Sequence, residues 1–96
     1  MKILTLVYSI GPGGTERAAV NYAVAYKRYG CDSRVWVVGG GFDRLQKLID
    51  NNVMVYRNDE NTHAENEALV LTWQPDIIHI HHFDNNLVSI AKKAIE

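Results

Sequence analysis

KILTLVYSIGPGGTER, residues 2–17, decides how the chain is read. Lys2 to Tyr8 is apolar on successive residues, with Thr5 the only polar one. A strand buried on both faces has this pattern, whereas a half-buried strand alternates. Gly11, Pro12, Gly13 and Gly14 follow at once, and a helical pattern starts near Thr15. A loop of this kind lets bare backbone come close to another group because no Cβ intervenes. With the amino terminus of the next helix behind it, its amides favour an anion, most often a phosphate. The alternative is a tight turn that only lets the helix pack on the sheet.

Working outward, residues 15–29 read as a helix with Ala18, Ala19, Val20, Tyr22, Ala23, Val24 and Tyr26 as its apolar, small-residue face. Glu16 in the first turn and Lys27 and Arg28 in the last complement its dipole, and Gly30 stands where a C′ residue is expected. Arg34 to Val38 is a second buried strand, closed by Gly39-Gly40-Gly41. A short helix over 42–51, a strand at Val53 to Tyr56 and a polar loop to His63 follow. The next helix, 64–73, has Ala68, Leu69, Leu71 and Trp73 as apolar members and must stop before Pro75. Asp76 to His81 is a fourth strand, and Asn85 or Asn86 caps a last helix with Leu87, Ile90, Ala91, Ala94 and Ile95 on one face. Strands alternating with helices at this spacing predict an α/β, Rossmann-like, three-layer α/β/α domain with a parallel sheet of order 3-2-1-4. In that order DIIHIH is an uncomfortable edge strand, which leads us to expect a longer protein or a pairing chain.

The composition sets bounds. Ninety-six residues suit one domain, and 47% hydrophobic with 22% charged residues is ordinary for a globular one. A formal net charge of −1 gives no case for nucleic acid. The single cysteine, Cys31, excludes an internal disulfide and fits a reducing compartment. The apolar run after Met1 is too short for a signal peptide, and no stretch has the length of a spanning helix, so a cytoplasmic protein is expected. The cluster of Tyr26, Lys27, Arg28 and Tyr29 leaves peripheral membrane association as an alternative to a solvated helix end.

Two common nucleotide motifs are excluded. No Lys-Ser or Lys-Thr follows the glycines, as a P-loop requires. Glu16 takes the place of the third glycine of a dinucleotide fingerprint, and the second strand ends without an acid for a ribose. The second constellation is His79, His81 and His82. His79 and His81 share one strand face, at the carboxyl end that adjoins the glycine loop in an open α/β sheet. His79 reads as a core histidine bonded to a backbone carbonyl. His81, nearer the strand end, is the candidate for touching a ligand, and His82 points to the other face. The run lacks the Asp and His spacing of binuclear hydrolases, so no metal is expected. His63 carries no special signal.

With both motifs placed, the chain resembles the amino-terminal domain of GT-B-fold retaining glycosyltransferases of family 4. Gly13-Gly14-Thr15-Glu16-Arg17 is similar to that family's Gly-Gly-x-Glu-Arg loop, and Pro75 to His81 to its Pro-Asp-hydrophobic-hydrophobic-His-x-His segment. The resemblance runs through almost the whole chain. It implies transfer of a sugar from a nucleotide-sugar donor to a glycan, lipid-linked or small-molecule acceptor, with retention and without a cofactor. It assigns the donor diphosphate to Gly13 and Gly14, with a hydroxyl from Thr15, and the reacting sugar to His81; Glu16 and Arg17 are helix-start structure. Pro12 and Cys31-Asp32 depart from the family pattern, and the donor-binding second domain with its Glu-x(7)-Glu segment is not in this sequence. The reading is therefore a truncated amino-terminal GT-B domain, inactive alone and completed by a domain in cis or a partner chain. A separately encoded binding or scaffold half and a small Rossmann-like nucleotide binder are the alternatives.

Overall fold

The computed structural model describes residues 1–80 and 85–95, with side chains placed through Ile80 and from Asn86 to Lys93. The elements are β1 (Lys2–Val7), α1 (Gly14–Arg28), β2 (Asp32–Val37), α2 (Leu45–Asp50), β3 (Met54–Arg57), α3 (His63–Trp73), β4 (Ile77–Ile80) and α4 (Asn85–Ile95). The four strands form a parallel sheet in the order β3-β2-β1-β4, as the alternation predicts. β1 lies inside, paired with β2 from Lys2↔Asp32 to Val7↔Val37 and with β4 from Ile3↔Ile77 to Leu6↔Ile80.

Both faces of β1 are covered, which is why its sequence does not alternate. Val7, Val35 and Val37 pack with Ala19, Val20, Ala23 and Val24 of α1 and Leu48 of α2. Leu4, Leu6 and Trp36 pack on the other face with Val70 of α3 and Leu87 and Ala91 of α4. The small residues of α1 let its axis lie close to the sheet, and Ser33 Oγ donates to the Ala23 carbonyl at 2.8 Å across that contact. On β4, Ile78 and Ile80 join the α3/α4 face, and His79 faces α1, where its Nδ1 is hydrogen-bonded to the Tyr26 hydroxyl at 3.1 Å. That partner is a side chain.

Two sequence expectations shift. α2 begins at Leu45, because Phe42 to Arg44 form a turn in which the Arg44 amide donates to the Ile10 carbonyl. α3 buries Asn66 and Val70 and packs Trp73 against the core, but leaves Leu69 half exposed and Leu71 exposed, so of the expected Ala68, Leu69, Leu71 and Trp73 only Trp73 is on its inner face. Asn66 tolerates full burial because its amide donates to Asn58 Oδ1 at 2.7 Å, which also accepts from Trp36 Nε1. α3 starts on a complete capping box, Thr62 with Glu65, and ends at Gln74 in the left-handed region, immediately before Pro75. β4 is described only to Ile80, so His81 and His82 lie outside the described residues.

The amino-terminal end of the sheet is closed by polar contacts. Asp32 accepts from Arg34 at 3.0 and 3.1 Å and from Trp73 Nε1 at 3.0 Å, while the Arg34 guanidinium lies over the Trp73 ring. The Arg34 hydrogen bond, opposed by burial and aided by Trp73, holds the Asp32 carboxyl below its ordinary value. A carboxyl depressed in the folded state adds stability above the unfolded value of about 3.9 and loses that contribution as pH falls toward the folded value. In urea titrations, the wild type should therefore exceed Asp32→Asn in stability at pH 7, and the gap should narrow as pH falls below about 4. Leu4 is fully buried in the central strand. Leu4→Ala should lower unfolding free energy by about 2–5 kcal/mol, a large part of the total for a domain of this size.

Candidate functional site

The site lies at the carboxyl end of β1, where strand order reverses between β1 and β4. Ligands of open α/β sheets bind outside the strand ends at such a point. Here a crevice of about 640 Å³ opens. Its floor is apolar and comes from both layers: Leu6 and Val7 of β1, Ala19 of α1 and Leu87 of α4. Its polar wall is made by Ser9, Thr15 and Glu16, with the Tyr8 ring and Gly40 at the side.

The glycine loop is held from below. Ile10, fully buried, donates its amide to the Gly41 carbonyl and accepts from the Arg44 amide. The Arg44 side chain then donates to the carbonyls of Gly11 and Pro12, each at 3.1 Å. The β1–α1 loop is thus fastened to the loop after β2. Gly41 has φ +87, which only glycine adopts without strain. Gly39 lets the two loops touch: a Cβ there would lie 2.7 Å from the Tyr8 carbonyl and closer still to the Tyr8 ring.

The upper face of the loop is occupied by the chain itself. Gly13 is the N-cap of α1 and has no side chain to cap with, so Glu16 stands at the third helical position. From there its carboxylate folds back over the loop. It accepts a 2.6 Å hydrogen bond from Ser9 Oγ, which in turn accepts from the Gly11 amide at 3.0 Å. Cβ atoms on Gly11 or Gly13 would run into this carboxylate, whereas one on Gly14 would meet no atom within 4 Å. α3 shows the full version of the device, Thr62 with Glu65; α1 has the reaching glutamate and uses Ser9 as its partner. The pairing of Ser9 with Glu16 was the feature that sequence reading missed. Its signal was an N-terminal-turn glutamate without a Ser, Thr, Asp or Asn three residues before it.

Of the residues expected to act, Thr15 lies on the crevice wall, Gly13 lies beneath Glu16, and Gly14 is open. His81 falls outside the described residues. His79, in register with Thr5 on β1, packs edge-on against Tyr22 of α1, 5.4 Å between centroids. Among the described residues, no three His, Cys, Asp or Glu side chains are grouped so as to hold a metal ion. No helix among them is long and apolar enough to cross a membrane. No family model matches the chain, nor does any curated protein or solved structure.

The two loop glycines after β2 make a controlled comparison. Gly39→Ala should destabilise the fold by about 1–3 kcal/mol, since the blocking Tyr8 carbonyl is backbone and cannot rotate away. Gly40→Ala, where a Cβ meets nothing within 4 Å, should change the thermal midpoint little. Thermal unfolding followed by circular dichroism distinguishes the two.

Proposed function

We propose that this chain is the acceptor-side, amino-terminal part of a retaining glycosyltransferase of the GT-B fold, family 4. In this reading it works in the cytoplasm without a metal. It transfers a sugar from a nucleotide-sugar to an acceptor when a donor-binding domain, in cis or as a partner, completes the cleft. The observation that carries the reading is the meeting of the glycine loop with the crevice at the strand-order reversal. The resemblance of Gly13 to Arg17 and of Pro75 to His81 to the family's two segments gives that meeting its chemistry.

The open side of the loop is Gly14 and Thr15, in the first turn of α1. First-turn amides lack intrahelical acceptors and carry the positive end of the helix dipole. A diphosphate laid there would receive N–H groups from backbone that presents no Cβ, plus the Thr15 hydroxyl. For it to touch Gly13, Glu16 would first have to leave. The Arg44 guanidinium beside the loop is committed to the loop carbonyls. Neutralising two phosphates therefore falls to the second domain. His81 is assigned to the transferring sugar or the acceptor hydroxyl, where a hydrogen bond strengthens as charge develops.

Sugar transfer assayed from a panel of nucleotide-sugars, with the donor-binding domain present, tests this reading. His81→Ala should lower turnover about 100-fold or more, in the range of losing one donor to developing charge, while leaving thermal unfolding unchanged. Undiminished turnover in that variant would remove His81 from the reaction.

A further inference from the structure

A second groove, of about 410 Å³, runs between α1 and α2 and shares no lining residue with the crevice. Asn21, Val24, Ala25, Arg28 and Tyr29 line it from α1 and its C-cap, and Lys47 lines it from α2. On α1 these positions recur at three- and four-residue steps, so they form one stripe toward the carboxyl end of the helix. The crevice is at the other end of α1.

The way the groove holds its charge is informative. Lys47 Nζ donates to Asn21 Oδ1 at 2.5 Å, and Arg28 Nη2 donates to Asn51 Oδ1 at 3.3 Å. Asn51 is itself anchored, since its Nδ2 donates to the Lys47 carbonyl at 2.8 Å. Each cation is thus positioned by a neutral amide. Among the described residues, neither forms an ion pair with a carboxylate. Asp50, the acid nearest to Lys47 in sequence, accepts from Gln46 Nε2 instead, at 2.8 Å. A carboxylate at position 21 or 51 would staple the same seam and cancel the charge. The amides keep the seam and leave two positive charges on one groove, in a chain whose formal net charge is −1.

The carbonyl end of a helix ordinarily repels an anion. Here the amides of Tyr29, Gly30 and Cys31 donate to the carbonyls of Ala25, Lys27 and Tyr26, which covers that end. The groove also has an apolar part. Val24 is buried beneath it and Ala25 half-buried, while the Tyr29 ring is 88% exposed at its side. A phosphomonoester carries about −1.5 to −2 charge at pH 7, which matches two cations where a carboxylate matches one. Arginine offers its oxygens a planar fork and lysine a point charge. The volume is larger than a bare phosphate fills and lies in the range of sites for small organic molecules.

We propose that Arg28 and Lys47 bind the phosphate of an organic phosphomonoester, whose apolar body lies on Val24 and Ala25 beside the Tyr29 ring. The site is separate from the proposed sugar transfer: it neither requires that reading nor fails with it.

The test is an amide-shift titration of the 96-residue chain with phenyl phosphate, and separately with inorganic phosphate and with phosphatidylglycerol vesicles. Phenyl phosphate should shift Val24, Ala25, Tyr29 and Lys47 saturably and bind more tightly than inorganic phosphate. Binding should weaken as NaCl rises from about 0.01 to 1 M, over which the screening length falls from about 30 to 3 Å. Arg28→Gln and Lys47→Gln remove the charge while leaving an N–H donor for Asn51 or Asn21. Each should weaken phenyl phosphate by about tenfold or more, the loss of a hydrogen bond from a charged group. Either variant alone suffices if the other does not fold. The site is overturned if phenyl phosphate gives no saturable shift at these residues, or if affinity is unchanged in the folded variants. It is equally overturned if inorganic phosphate binds as tightly, which leaves the apolar body without a role. Vesicles that broaden these amides while phenyl phosphate leaves them unmoved would overturn it in favour of a membrane surface.

Discussion

Everything in this domain hangs on one strand that is satisfied on four sides. β1 pairs along both edges, with β2 and β4, and packs side chains on both faces. Its backbone polar groups have no route to water, so the ladder must be continuous. From Ile3 to Val7 its side chains are buried as well, and all but Thr5 are apolar. Burying each aliphatic side chain is worth about 1.5–3 kcal/mol, and the two clusters that share β1 supply most of what offsets chain entropy. The strand ends where both requirements lapse together, and the glycine loop begins at that place.

The ending explains why the site is where it is. A parallel sheet with helices on both faces leaves its strand ends as the only gap in the layers. At β1 the following helix goes to one face, while the helix after the neighbouring β4 goes to the other. Leu87 of α4 and Ala19 of α1 therefore meet the same crevice from opposite layers. The polar groups that line it come from residues 9–16, a segment short enough that its backbone direction sets where they point.

Much of this was legible from residues alone, and the reasons differ by element. The apolar run of residues 3–8, interrupted only by Thr5, could hardly be anything but an interior strand. Helix α1 was legible from its alanines, and the order 3-2-1-4 from the handedness of crossovers. The inner face of α3 was not, because Asn66 looks polar in a sequence and becomes buriable only once Asn58 arrives from the end of β3. Nor was the posture of Glu16, because it depends on a hydroxyl seven positions back, on the far side of a glycine turn. Sequence spacing conveys periodicity; it does not convey which rotamer a reaching side chain takes. Gly13, Gly14 and Thr15 were singled out for their amides and hydroxyl; Thr15 lines the crevice, Gly14 is open, and Gly13 lies beneath Glu16. The histidine strand was placed beside β1 by topology, while the residue singled out on it, His81, falls outside the described residues.

Arg44 gives the domain a mechanical property. One guanidinium joins the carbonyls of Gly11 and Pro12 to a turn that belongs to the second crossover. With the backbone bonds of Ile10 to Gly41 and Arg44, this fastens the two loops to each other at several points. Gly40, on the exposed part of that second loop, also lines the crevice that Ser9 and Glu16 wall. The direction in which the glycine loop points is thus set in part by the neighbouring crossover, through the Arg44 side chain and the backbone bonds of Ile10.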